Sequence, residues 1–282
     1  MNMAMRTLIG SFAMVAALGS NAVADGLPDI LGIQLGMPVR DAHAKLQAQL
    51  PKSKVQVQST KLPTIDKPVI TAFSGTTAEP IMIGMEGDQM TVDVTLPPNK
   101  QAVWRITRQH YFANKGIPKT TLLASLREKY GKEPLTNVSQ NKPALDDAQI
   151  NTLFLLFDEQ GRPAPIPPKP EKDTSGLANA LISACITLGD NVQLGLIEVY
   201  SNLYKGKNPQ EDWCYNFYTA VFVRVAQSPD VPELYSQMRL VAVSLPYALS
   251  ASEATMKWKK DIAEGQHKQD IEKAKQQEKP KL

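Results

Sequence analysis

Two stretches of the chain repeat one pattern: glycine, an apolar residue and proline, followed by apolar residues at helical spacing. The copies span residues 36–46 and 116–126. Proline lacks a backbone N–H, so it is well tolerated in the first helical turn, where that donor has no partner. One apolar face is expected on each helix, formed by Val39, Ala42, Leu46 and Leu50 in the first and by Leu122, Leu123, Leu126 and Tyr130 in the second. The repeat therefore predicts two helices, the first stopped by Pro51 and the second capped by Gly131.

Between these helices the hydrophobic pattern changes to a period of two, which is typical of half-buried strands. The candidate strands there cover residues 69–73, 81–85, 90–96 and 103–112, and after the second helix residues 151–157 are predicted to form an apolar strand. Residues 86–89 (Glu-Gly-Asp-Gln) resemble a hairpin turn between the second and third of them, and residues 158–161 resemble another turn. We therefore expect residues 25–161 to form a tandem domain of two units, each a helix with an antiparallel meander.

Composition changes abruptly after this region. Residues 162–174 contain five prolines, a composition typical of an extended linker or a long surface loop. An α+β module is predicted over residues 175–250, including a hairpin joined through residues 228–232. Residues 250–253 (Ser-Ala-Ser-Glu) fit a helix capping box. A charged helix or tail is predicted over residues 251–282, either solvated or docked to a partner.

The first residues of the chain indicate export. A basic start at Arg6, an apolar run from Leu8 to Leu18 and a small-x-small end at Ala22 and Ala24 are typical of a secretory signal peptide. The alternative is a membrane-spanning helix, but the apolar run is shorter than the ~20 residues that a span requires. We expect residues 1–24 to be removed by cleavage after Ala24 and the protein to reach the periplasm or the extracellular space.

The chain contains two cysteines, Cys185 and Cys214. Because export would carry them into an oxidising compartment, a single disulfide is expected between them. Such a bond would stabilise the fold by roughly 3–4 kcal/mol in the chain-entropy treatment. A redox or nucleophilic thiol is the alternative, but the spacing is not Cys-x-x-Cys and no histidine lies nearby in the sequence.

Composition and motifs favour few chemical functions. A formal net charge of +3 does not indicate nucleic-acid binding. Neither a Gly-x-Ser-x-Gly elbow nor a glycine-rich phosphate loop occurs. The three histidines, His43, His110 and His267, lack the spacing of metal ligands and are expected to be solvated or hydrogen-bonded at the surface. Adjacent acids at 146–147 and 158–159 could serve a glycosidase but are more typical of turns. No cofactor and no metal site is predicted.

Aromatic residues surround the second cysteine. In a strand, Trp213, Tyr215 and Phe217 would share one face, and Cys214 would lie on the other. One interpretation is that this face packs into the core. The other is an exposed aromatic platform for a partner or glycan, since tryptophan and tyrosine are favoured as interface anchors.

Two segments resemble a motif of secreted proteins. Residues 29–38 enter the first predicted helix through Leu-Gly-Met-Pro, and residues 115–134 combine Gly-Ile-Pro with a closing Tyr-Gly-x-x-Pro. They are similar to modules of the β-lactamase-inhibitor-protein and BamE/SmpA families, in which a helix packs on an antiparallel sheet. The resemblance covers residues 27–160. Proline replaces the serine or threonine cap of those families, and the lipid-anchor cysteine of BamE is absent. The resemblance implies a protein-binding scaffold.

These observations predict an exported α+β protein with two helix-plus-antiparallel-meander units, a disulfide-linked α+β module and a C-terminal helix. The expected function is non-enzymatic binding, or service as an adaptor, with an envelope protein as the possible partner. No transmembrane segment is expected in the mature chain. The alternatives are a periplasmic hydrolase that acts on cell-wall material and a secreted effector. Convergent acidic or histidine side chains in a deep pocket would favour the enzyme.

Overall fold

The computed structural model describes residues 26–77, 85–133, 135–136, 150–158, 160–164 and 219–276. Within these residues the fold is mixed α+β, as predicted, with three helices and a large antiparallel sheet. The helices are α1 (Val39–Gln49), α2 (Lys119–Tyr130) and α3 (Leu245–Lys275). The strands are β1 (Asp29–Ile30), β2 (Ile33–Gln34), β3 (Gln56–Thr60), β4 (Val69–Thr76), β5 (Gly87–Val94), β6 (Val103–Tyr111), β7 (Ile117–Pro118), β8 (Leu135–Thr136), β9 (Thr152–Phe157), β10 (Pro163–Ala164), β11 (Thr219–Gln227) and β12 (Leu234–Ser244).

The two helices predicted from the repeat are present, and each begins one residue after its proline. Pro38 and Pro118 are the N-cap residues, with φ/ψ of −57°/144° and −55°/134°. Both prolines stay extended because each still belongs to a strand pairing, Pro38 opposite Ala102 and Pro118 opposite Leu234. At its other end α2 stops as predicted at Gly131, whose φ of 84° suits glycine.

Ten of the described strands form one sheet, in the order β10-β9-β11-β12-β6-β5-β4-β3, with β7 beside β12 and β8 beside β9. The pairings on this path are antiparallel. Strand β9 precedes the proline-rich segment and β11 follows it, yet the two pair over six residues. The sheet is therefore continuous between the described strands that flank residues 165–218.

The hairpin that leads into β5 differs from the prediction. The expected turn over residues 86–89 is wrong, because β5 already begins at Gly87. Its partner is β4, with Thr76 opposite Gln89, and most of the predicted strand over 81–85 lies outside the described residues. The backbone N–H of Asp88 donates to Thr77 Oγ1 at 2.7 Å. Contacts between strands thus override the local turn tendency of the Gly-Asp dipeptide.

One side of the sheet, called the core face, carries the hydrophobic core. A row of buried side chains crosses six neighbouring strands on this face: Phe73, Val92, Ile106, Ala242, Val221 and Leu155. The same cluster includes Leu46 of α1 and Leu123 of α2, both fully buried. The apolar stripes predicted for the two helices therefore pack against the sheet.

Helix α3 begins earlier than predicted. It follows β12 directly, with Ser244 in an extended conformation as its N-cap and a proline in its first turn. The predicted capping box at residues 250–253 is wrong, because these residues lie inside the helix. Early residues such as Ala248 and Ala251 are buried, whereas residues 266–276 are exposed. Among the described residues, no helix has the length and apolarity needed to cross a membrane.

Gly116 provides a test of this architecture. Its φ is +124°, and a Cβ atom there would overlap the backbone carbonyl of Tyr235 on β12. We expect Gly116→Ala to lower the free energy of unfolding by roughly 1–3 kcal/mol, as measured by chemical denaturation. The matched control is Gly265→Ala in α3, where no atom lies within 4 Å of the added methyl. This change should raise stability by about 0.5–1 kcal/mol. Equal effects of the two variants would contradict the close approach of residue 116 to β12.

Candidate functional site

The residues singled out for a disulfide and for partner binding are not located by the structure. Cys185, Cys214, Trp213, Tyr215 and Phe217 lie outside the described residues, as does the proposed leader, residues 1–24. Candidate sites must therefore be sought on the described parts of the sheet and helices.

The side of the sheet opposite the core, called the outer face, changes in character along its width. Across β4, β5 and β6 one row runs through Ser74, Thr91 and Thr107, all partly exposed. The same row continues across β12 and β11 with Val241 and Phe222, which are buried. The outer face is therefore polar on the β3–β6 side and apolar on the β9–β12 side.

An open cleft of 610 Å³ lies where the polar part of the outer face meets α3. Its walls come from β3 and the loop after it, from β4, from the end of β5 and from one side chain of α3. The lining residues are Gln58, Thr60, Lys61, Leu62, Pro63, Thr71, Ala72, Asp93, Leu96 and Lys259. The cleft thus combines apolar surface with hydroxyl, amide and charged groups, as small-molecule and peptide sites commonly do.

Helix α3 is held beside the cleft by two hydrogen-bonded contacts with the β5–β6 turn. The buried hydroxyl of Thr255 donates to the carbonyl oxygen of Pro97 at 2.7 Å. The side-chain amide of Asn99 donates to the carbonyl oxygen of Ala251 at 3.0 Å. Lys259 follows Thr255 by four residues and so lies on the same side of the helix, one turn further along. This spacing brings its side chain to the cleft.

The charged side chains that line the cleft give it a net positive charge. Its carboxylate, Asp93, is paired with Arg105 on β6, with Oδ2 2.8 Å from Nε. Both side chains are largely buried, so this pair is only weakly screened by solvent. By contrast, Lys61 and Lys259 have no hydrogen bond or ion pair with any described residue. Two ammonium groups are therefore available to a negatively charged ligand.

A second charged group lies on the core face, near the ends of β5 and β6. Arg108 contacts both carboxylate oxygens of Asp88, at 2.5 and 3.1 Å, and His110 Nδ1 lies 3.0 Å from Oδ1. Burial alone would raise the pKa of Asp88, but the hydrogen bonds from His110 and Arg108 and their charges outweigh it and hold that pKa at about 2. A carboxylate this acidic is a weak base near neutral pH. We therefore assign the group a structural role, that of joining β5 to β6.

The expectation that His110 lies at the surface is wrong. The side chain is hydrogen-bonded, which was one of the two predicted states, but it is buried, with 9% of its surface exposed. Its ring packs edge-to-face against the ring of Phe112, with the centroids 4.6 Å apart. A signal for this was present in β6. Arg108 and His110 continue the alternation that places Ile106 on the core face, so polar residues at these positions require a buried partner.

The other titratable candidates have identifiable surroundings. The ring of His43 packs against Phe73 with centroids 5.6 Å apart. Asp158 accepts hydrogen bonds from the backbone N–H groups of Gln160 and Arg162, which confirms it as a turn residue. Acidic residues 146, 147 and 159 lie outside the described residues. In the part of the chain that the structure describes, no three His, Cys, Asp or Glu side chains come together as metal ligands would.

The cluster around Asp88 predicts a specific dependence of stability on pH. Asp88→Asn leaves Arg108 without its charged partner, and we expect a loss of about 1–3 kcal/mol in unfolding free energy at pH 7. The pKa of Asp88 is lower in the folded than in the unfolded state. The stabilisation is therefore complete above about pH 4 and is lost as the pH falls towards 2.

The measurement is urea denaturation of both proteins between pH 2 and pH 7. The difference between wild type and Asp88→Asn should shrink as the pH falls through this range. Asp261→Asn is the control, since its exposed pair with Lys257 should leave the denaturation midpoint unchanged. A constant difference between wild type and Asp88→Asn at every pH would contradict the role given to the Asp88 carboxylate.

The chain was compared with known protein families, curated proteins and solved structures. No protein-family model, no curated protein and no solved structure matches this chain. A function must therefore be argued from the chain's own side chains and their geometry.

Proposed function

We propose that the protein is an exported, non-enzymatic binding or adaptor protein that holds its partner in the cleft beside α3. The observation that supports this most is the pair of lysines, Lys61 and Lys259, that line one cleft and have no ion pair or hydrogen bond with a described residue. A positive, partly apolar recess that opens onto a polar sheet face provides both shape and charge for recognition.

The distribution of acids in the cleft favours binding over sugar hydrolysis. Glycosidases use two carboxyl groups, one on each side of the scissile bond. Of the described residues that line the cleft, one is acidic, Asp93, and Arg105 holds its carboxylate. Because Arg105 already balances the charge of Asp93, this carboxylate links β5 to β6 and is not placed to act on a substrate.

The two helices that follow a Gly-x-Pro sequence, α1 and α2, begin in the same way. We infer that α1 and α2 begin two related units, because Pro38 and Pro118 share the N-cap position and nearly the same backbone angles. The resemblance of residues 27–160 to β-lactamase-inhibitor-protein and BamE/SmpA modules implies that such units serve as protein-binding scaffolds. An envelope protein is the partner that this resemblance and the proposed export favour.

Export and disulfide formation can be tested together. In a bacterial host the chain recovered from the periplasm should begin at Asp25 and weigh two hydrogens less than the reduced form. Cys185 and Cys214 should react with a thiol reagent only after reduction. The control is Val15→Arg, which interrupts the apolar run and should leave a full-length chain with two free thiols in the cytosol. Recovery of uncleaved wild-type protein with reactive thiols would contradict this part of the proposal.

Partner binding can be tested by filling the cleft. Gln58 and Gln56 are exposed residues of β3, separated by two positions and therefore on the same face, but only Gln58 lines the cleft. We expect Gln58→Trp to reduce recovery of a partner from envelope extracts at least tenfold in affinity capture. Gln56→Trp is the matched control and should bind as the wild type does. Equal recovery with the two variants would show that the partner does not use the cleft.

A further inference from the structure

Among the described strands, β3 is the last at one end of the sheet. It pairs with β4, and no described strand pairs with its other edge. Residues 56–59 are exposed, so the outward backbone N–H and C=O groups of this strand are available to hydrogen-bond an additional strand. A register shift opposite Gln58 and Ser59 leaves one extra residue, Thr71, on β4, and residues 56–58 are regularly paired.

The five residues of β3 include no charged residue and no proline. Natural edges are often blocked by charged side chains or proline, whereas residues 56–60 read Gln-Val-Gln-Ser-Thr. Polar, uncharged side chains of this kind keep the edge hydrated without repelling an incoming chain. Addition of a strand at such an edge is a recurring mode of peptide recognition.

The surroundings of β3 carry positive charge at both ends. Residues 52–61 contain three lysines and no acid, and all three are exposed. Lys52 and Lys54 precede the strand, Lys61 follows it, and Lys259 lines the same cleft as Gln58 and Thr60 of the strand. None of these four side chains has an ion pair with a described residue. Electrostatic complementarity therefore favours an acidic partner.

We propose that β3 and the cleft bind an extended acidic segment of a partner protein, which adds to the sheet as a further strand. The inference rests on the proposed binding function and names the chemistry of its partner. Side chains of an added strand alternate between the two faces of the sheet. Those on the cleft side lie near Lys61 and Lys259 and are acidic. Those on the other side cover Val57, an apolar side chain that is 48% exposed, and are apolar.

The partner segment therefore alternates acidic and apolar residues, and a random peptide library displayed on phage tests this directly. Selection on the full mature chain should enrich peptides with that alternation. Selection on a Lys61→Glu/Lys259→Glu double variant should not. The matched control is Lys268→Glu/Lys273→Glu, which makes the same change in net charge on an exposed part of α3 away from the cleft. It should enrich the same peptides as the wild type.

A synthetic copy of an enriched peptide then separates strand pairing from simple charge attraction. We expect affinity to fall at least tenfold with Lys61→Glu/Lys259→Glu, and at least tenfold when the alternate backbone nitrogens of the peptide that point towards β3 are methylated. Amide hydrogen exchange within residues 56–60 should slow on binding of the unmodified peptide. Higher salt should weaken binding, because the lysines are exposed or only partly buried.

Three results would overturn the inference: no enrichment of acidic peptides, equal affinity of the methylated peptide, or exchange protection located away from β3. These results are distinct from failure of the binding function. If Gln58→Trp loses the envelope partner while acidic peptides fail to bind, the cleft remains a binding site and only the acidic added strand is wrong.

Discussion

The pairing of β6 with β12 is the contact on which the rest of the structure depends. Seven residue pairs join these strands, and β6 is also paired along its other edge with β5. Through this contact the meander β3–β6 and the strands β9, β11 and β12 become one sheet with a continuous core face. Ile106 lies between Val92 and Ala242 at the centre of that face and is fully buried. Loss of this pairing would divide the core, because each part alone leaves an apolar edge in water.

The cleft follows from the same pairing. Helix α3 leaves the end of β12 without an intervening loop, so the position of β12 beside β6 determines where the helix runs. It passes the β5–β6 turn, where the Thr255 hydroxyl and the Asn99 amide attach it. Lys259 is thereby brought to the cleft that β3 also lines, and β3 is the described strand most distant from β12 on this side of the sheet. The cleft is thus assembled from elements that share no local sequence signal.

Charged side chains occur on both faces of the sheet. On the core face, Asp88, Arg108 and His110 satisfy one another, and the low pKa of Asp88 shows that its charge stabilises the folded state. On the outer face, Asp93 and Arg105 are matched in the same manner. Lys61 and Lys259, which line the cleft beside that face, have no such partner among the described residues. The proposal that an acidic segment binds there rests on these two charges and on the edge of β3, with which no described strand pairs.

The sequence by itself predicted the helices and strands whose formation depends mainly on residues close together in the chain. The Gly-x-Pro pattern, the 3.6-residue spacing of apolar side chains and Gly131 predicted α1 and α2 closely. The candidate strands over residues 103–112 and 151–157 correspond to β6 and β9, and the hairpin predicted through residues 228–232 corresponds to β11 and β12. The sequence also predicted the mixed α+β class. It did not reveal that Gly87 begins a strand, that α3 starts at Leu245, or that His110 meets Asp88. Tertiary structure alone decided these features and the presence of Lys61 and Lys259 at one cleft, because pairing between distant strands selects their partners through burial and hydrogen bonding that no short segment contains.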